Sequence, residues 1–194
     1  FRVSLEQSGN VIALWVADQT DRHIGTVEIP ATWFQTINPT IIILGTPVLM
    51  RFWAWRAQRH GAPNLLRRMA IGSAISSIAT IIMIFASYRW QSSPPPHLVS
   101  AWWVTTYFIF LTLGEMMVLP VGVTLANRLA PARYAATCMG AWYISKFLGS
   151  LAAGVMGAWW GKIPPMIFFG LCTLSVVAAS LTLLAMARWN RSYR

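Results

Sequence analysis

Long apolar runs alternate with short polar stretches along the whole chain of 194 residues. Five runs reach the roughly 20 residues that a helix needs to cross a bilayer core: about 33–53, 69–88, 101–125, 134–159 and 164–187. A sixth, about 1–17, is short and mildly polar, as expected of a helix cut near its beginning. "FRVSLEQSGN" starts abruptly, so the chain reads as a piece of a longer protein. Six helical segments then alternate sides of a membrane. "SSPPPH" (92–97) is expected to be an external turn, because consecutive prolines cannot continue a helix. Pro39 and Pro47 are expected to break the second segment, and Pro120 to weaken the fourth.

Composition makes the surrounding solvent lipid. Hydrophobic residues are 56% and charged residues only 10%, with mean hydropathy +0.54. A water-facing domain carries about a quarter charged residues. The net charge of +10 would suggest nucleic acid if the basic residues formed one patch, but they lie in small clusters between apolar runs, which excludes that partner. One set of loops holds Arg51, Arg56, Arg59, Arg67, Arg68, Arg128, Arg133, Arg188, Arg191 and Arg194; the other holds Arg22, Arg89 and Lys162, with Asp18, Asp21 and Glu28 beside them. Ten basic residues against three place the first set, and the C-terminus, in the cytoplasm, as expected of a plasma (cytoplasmic) membrane protein. Trp53, Trp55, Trp90, Trp102, Trp103, Trp159 and Trp160 stand at the ends of the runs, where interfacial anchors belong. The spacings Gly149–Ala153 and Gly154–Ala158 suit close helix contact.

Candidate chemistry reduces to a few polar groups at depth. Glu115 is the only charge between Ala101 and Ala126, near mid-span. An ionised group there costs about 2.5–3.5 kcal/mol, so it faces a cavity or a partner. Burial favours the protonated form of a carboxylate and a nearby cation the ionised form, so such a group can load and unload a proton. Asn38 precedes Pro39, where a loosened backbone and polar side chains coincide, either to line a cavity or as a kink satisfied by its neighbours. Lys146 shares a helical face with Trp142 and has no local acid; a pairing with Glu115 is expected. Arg2, Glu6 and Gln7 form a further cluster, with Arg2 and Glu6 spaced to pair. Cys138 and Cys172 read as small buried hydrophobes, and His23, His60 and His97 have no metal-ligand spacing. No nucleophile and base share a depth, which argues against an intramembrane enzyme.

"EQSGN" with "DQTDR", "IPATWFQTINP", "GEMMVLPVGVTLANRLAP" and "MGAWYISKFLGSLAAG", in this order, resemble the C-terminal half of the proton-dependent oligopeptide transporter family, a branch of the major facilitator superfamily. The resemblance implies an all-α membrane protein in which residues 1–194 are the six-helix C-terminal bundle, helices seven to twelve, of a twelve-helix transporter, with the first of these truncated and the N-terminal bundle missing. It implies a proton-coupled symporter that imports di- and tripeptides by alternating access, with the proton as coupling ion and no other cofactor. Glu115 matches the family's tenth-helix glutamate, associated with the peptide amino terminus; Asn38 matches its eighth-helix asparagine and Trp142 its eleventh-helix tryptophan. Lys146, Glu6, Gln7 and Arg2 complete the expected site. Leu119 stands where the family has serine, Arg2 where it has tryptophan, Lys146 where it has a small residue and Ser150 where it has asparagine. The added positive charge leaves a second reading: a related carrier or sensor that binds an acidic or modified substrate without proton coupling.

Overall fold

The computed structural model describes residues 1–61, 64–92, 94 and 98–192. Of the expected turn at 92–97 only Ser92 and Pro94 are described, and His97 and Arg194 lie outside the described residues. The helices are α1 (Arg2–Glu6), α2 (Val11–Gln19), α3 (Ile37–His60), α4 (Leu65–Ser92), α5 (Ala101–Leu129), α6 (Ala135–Gly157) and α7 (Pro165–Ser192). Among the described residues, four helical stretches are long and apolar enough to cross a membrane: Ala31–Arg59, Leu65–Ser92, Ala101–Arg128 and Pro165–Trp189. α6 has the length, but Ser145, Lys146 and Ser150 dilute its apolar character.

The first segment is not one helix. Gln7, Ser8, Gly9 and Asn10 separate α1 from α2, and the last three are weak helix formers. Ser8 Oγ donates to the Leu5 carbonyl at 2.8 Å, a local bond that competes with the ladder. Conversely, α3 runs unbroken through Pro47. A 3-10 turn, Ala31–Thr36, precedes α3, so Pro39 falls in its first turn, where a missing N–H is tolerated. The expected breaks at Pro39 and Pro47 are thus replaced by a single change of helix type before Ile37.

α4 packs most extensively, against α5 on one side and α7 on the other. Small and hydroxylated residues bring these backbones together. Thr173 Oγ1 donates to Thr80 Oγ1 at 2.9 Å and Ser180 Oγ to the Ala70 carbonyl at 3.0 Å. Gly149 and Ala153 meet α1, as their spacing suggested, whereas Gly154 faces open space. Near the α2 end, Trp15 is fully buried, edge-on to Trp90 (6.0 Å), Trp160 (6.1 Å) and Phe169 (5.7 Å). Trp90 and Trp160 therefore pack on the core and are not simple interfacial anchors; Trp102, 75% exposed, keeps that character.

Short strands tie the ends of the helices opposite the arginine clusters. β1 (Thr20–Asp21) pairs in parallel with β4 (Val99–Ser100), Thr20 opposite Val99. β2 (His23–Ile24) and β3 (Val27–Glu28) form a hairpin turning at Gly25, whose φ of 63° suits glycine. Arg22 closes the base, with an ion pair to Glu28 at 2.6 Å and a bond to the Ile29 carbonyl at 3.0 Å.

Candidate functional site

The orientation of Glu115 is set by the residue before it. Gly114 is pressed against α4: a Cβ there would stand 2.0 Å from Ser76 Oγ and 2.4 Å from the Gly72 carbonyl. One residue further is about 100° around the helix, so Glu115 turns away from α4. It meets α3, where Asn38 Nδ2 donates to Glu115 Oε2 at 2.9 Å.

Glu115 lies between two cavities. One, of about 290 Å3, is lined by Arg2, Glu6, Gln35, Asn38, Phe108 and Glu115 among others. The second, of about 370 Å3, runs between α3 and α5 past Thr46, Leu119 and Pro120 to Arg68. It is mostly apolar, whereas charged side chains surround the first. Leu119, which stands where serine was expected from the resemblance, lines the second cavity.

On the opposite wall of the first cavity, α1 carries a closed polar triad. Arg2 and Glu6 form an ion pair one turn apart. Ser150 of α6 joins them: Arg2 Nε donates to its Oγ at 3.4 Å, and that Oγ donates to Glu6 Oε1 at 3.1 Å. Gly149 makes room for this contact, since a Cβ there would fall 2.7 Å from Arg2 Cβ.

The other residues singled out from the sequence lie elsewhere. Gln7 is 1% exposed, and its Nε2 donates to the Ala153 carbonyl at 3.0 Å and to the Val3 carbonyl at 3.3 Å, joining α1 to α6. Trp142 rests on Gly122, where a Cβ would come within 2.1 Å of its ring. Gly122 follows Glu115 by seven residues, so both occupy one face of α5 about 10.5 Å apart. Trp142 thus covers the Glu115 face two turns away. Lys146 makes no ion pair with Glu115 among the described residues; its Nζ lies over the Tyr143 ring, 5.3 Å from the centroid. The shared face with Trp142 is satisfied by the tryptophan alone, and the ammonium finds an aromatic surface on its own helix. Among the described residues no three His, Cys, Asp or Glu converge on a metal-sized site.

Gln35, Phe108, Ser150 and Arg68 were not singled out as site residues from sequence, although Ser150 was noted as a departure. Gln35 stands three residues before Asn38, a helical spacing that places both toward one cavity. Phe108 is seven residues before Glu115 on the same face.

Membrane-length helices packed beside a charged cavity define an all-helical integral membrane bundle. The sequence profile of the POT family (PTR2) matches residues 1–165, and the chain belongs to that family. It is 34% identical over 157 residues to the peptide transporter YePEPT of Yersinia enterocolitica, covering 81% of this chain and 30% of that protein. It is 27% identical to the uncharacterized transporter YclF of Bacillus subtilis, over 92% of this chain and 35% of that one. A di-/tripeptide transporter of Lactococcus lactis is also 27% identical, over 72% and 28%. The fold matches a crystal structure of peptide transporter POT in complex with sulfate, with TM-score 0.85, 23% identity, and coverage of 97% of this chain and 37% of that one. The chain spans about a third of the length of the relatives it matches.

Proposed function

We propose that residues 1–194 form the C-terminal six-helix bundle of a proton-coupled symporter that imports di- and tripeptides across the cytoplasmic membrane by alternating access. The site is completed by an N-terminal six-helix bundle, and the C-terminus is cytoplasmic. The observation that carries this reading is the Asn38–Glu115 hydrogen bond, which holds a carboxylate at the edge of a polar cavity. Asn38 engages Oε2 and leaves Oε1 for a proton or for the ammonium of a peptide, a donor of three hydrogen bonds. A carboxylate that exchanges one for the other links proton movement to substrate movement. The names of the relatives and the arginine-rich loops support the substrate class and the orientation respectively.

The second reading, a related carrier or sensor for an acidic or modified substrate without proton coupling, draws on Arg2 in the cavity wall. Its charge is already met by Glu6, which favours the first reading. The test uses the full-length transporter in proteoliposomes with labelled dialanine and a pH-sensitive dye. Wild type should accumulate peptide with a matching proton flux, and Glu115→Gln should retain exchange but lose uphill accumulation. Peptide uptake without proton flux would establish the second reading, and full accumulation by Glu115→Gln would overturn the role of the carboxylate.

A further inference from the structure

At the arginine-rich end of the bundle, a cavity of about 250 Å3 opens between the first turn of α4 and the last turns of α7. Asn64, Arg67, Leu184, Ala187 and Arg188 line it. α4 stands between this cavity and α5, which carries Glu115, so the two sites are separate. Arg67 and Arg188 have no carboxylate partner among the described residues. The sequence offers none nearby: the five acids are Glu6, Asp18, Asp21, Glu28 and Glu115, all at mid-depth or toward the opposite end. Asn64 is a neutral amide, and its Oδ1 caps α4, accepting from the backbone N–H of Leu66 at 2.9 Å and of Arg67 at 3.4 Å. The N-terminus of α4 adds further positive potential.

Apolar surface continues from both arginines. On α4, Arg67, Ile71, Ile78 and Phe85 fall within about 40° of one line. On α7, Arg188, Leu181, Leu174 and Ile167 recur every seven residues. The six hydrophobic members of these stripes are exposed, up to 57% at Phe85 and 66% at Leu174. α4 and α7 run antiparallel, and the stripe lies about 100° from the packed seam on each, so both turn to the same side of it. Each stripe is roughly 27 Å or longer, from 18 or more residues at 1.5 Å, and exceeds the depth of one leaflet, about 15 Å.

We propose that this groove is a binding site for an anionic phospholipid of the arginine-side leaflet. The headgroup phosphate sits between Arg67 and Arg188, and the acyl chains lie along the stripes beginning at Ile71 and Leu181. Charge and shape select this occupant together. A free phosphate would meet the two guanidinium groups but leave both apolar stripes bare; a zwitterionic lipid would cover the stripes but bring its own headgroup cation beside two guanidinium groups. Basic pockets between transmembrane helices on this side of a membrane hold anionic headgroups for the same reason. The site is independent of what the transporter carries.

The test measures lipid retained by the full-length transporter after purification in detergent, by native mass spectrometry, with phosphatidylglycerol and phosphatidylcholine of identical chains. A cation beside an anionic headgroup contributes about fivefold, so two should give phosphatidylglycerol roughly a thirtyfold advantage. Arg67→Gln and Arg188→Gln should each lose about fivefold and the double variant nearly all of it, while Arg51→Gln with Arg56→Gln retains the advantage. Thermal melting of each variant in neutral detergent checks that the fold survives the change. An unchanged preference in the Arg67/Arg188 double variant would overturn the proposal. Equal losses in both double variants would also overturn it, since they indicate a diffuse surface charge. Complete displacement of the lipid by 50 mM inorganic phosphate would reassign the groove to a soluble anion and overturn the lipid assignment.

Discussion

Asn38 and Glu115, 77 residues apart in sequence, share a 2.9 Å hydrogen bond from Nδ2 to Oε2 at the edge of the polar cavity. A hydrogen bond to a charged group contributes about 1.5–3 kcal/mol, and its loss at depth leaves the carboxylate without its donor. Asn38→Leu in the full-length transporter should weaken apparent substrate affinity about tenfold or more, with little change in yield. An unaltered KM for peptide uptake would separate the bond from binding.

Gly114 fixes which way Glu115 points, and the fixing is steric. A methyl group there meets Ser76 Oγ and the Gly72 backbone at distances no real Cβ adopts, so α4 and α5 must part. Overpacking of a tight core costs about 1–3 kcal/mol and more where backbone is in the way. Gly114→Ala should lower the melting temperature and the folded yield sharply. Gly140→Ala, which meets open space, should be neutral in the same assay.

The Arg2–Glu6 pair is partly exposed to the cavity, so its coupling is small for an ion pair. A double-mutant cycle with Arg2→Met and Glu6→Gln, read by thermal melting, should give about 1 kcal/mol or less. Ser150→Ala should reduce that coupling further, because it removes both the acceptor for Arg2 and the donor to Glu6. A coupling unaffected by Ser150→Ala would show the serine to be a bystander.

Lys146 tests a different expectation. Its ammonium sits over Tyr143 and away from Glu115, so Lys146→Ala should leave the pH optimum of transport unchanged and KM within about twofold. A displaced optimum would require that Lys146 reach Glu115 in another state of the transporter.

Asp21, in the segment after α2, gives a pH prediction with a definite sign. The backbone N–H of His23, then its ring nitrogen, hold the Asp21 carboxyl below the ordinary carboxylate range. Such a group contributes stability above its ordinary pKa of about 4, and the contribution is lost as pH falls through the lowered folded value. Between pH 5 and 8 it stays ionised, so Asp21→Asn should leave the shape of the transport–pH curve unchanged over that range. A change in that shape would place Asp21 in the proton path.

The membrane spans were legible because apolar content decides them directly: 69–88 became Leu65–Ser92 and 101–125 became Ala101–Leu129. Departures arose where neighbours overrode local sequence. Trp15 draws Trp90 and Trp160 inward, which end-of-run position could not reveal. Gly114 and Gly122 belong to the "GEMMVLPVG" stretch, but only the packing shows that one aims Glu115 and the other seats Trp142. Of the seven residues singled out for the site, the structure sets Arg2, Glu6, Asn38 and Glu115 around one cavity. Gln7, at the end of α1, and Trp142 and Lys146, on α6, direct their side chains elsewhere, a matter of helix rotation that spacing alone does not resolve.

The interruption at residues 7–10 divides the first segment into two parts with different fastenings. α2 is anchored in the aromatic cluster around Trp15 and tied through β1 to the start of α5. α1, only five residues long, is fastened instead to α6 through Gln7 and Ser150. The wall bearing Arg2 and Glu6 is therefore held from two sides, by α6 through these bonds and by Leu5, which is buried in the same core cluster as Trp15. The charged wall of the cavity thus inherits its rigidity from the same buried cluster that seats the aromatic end of the bundle.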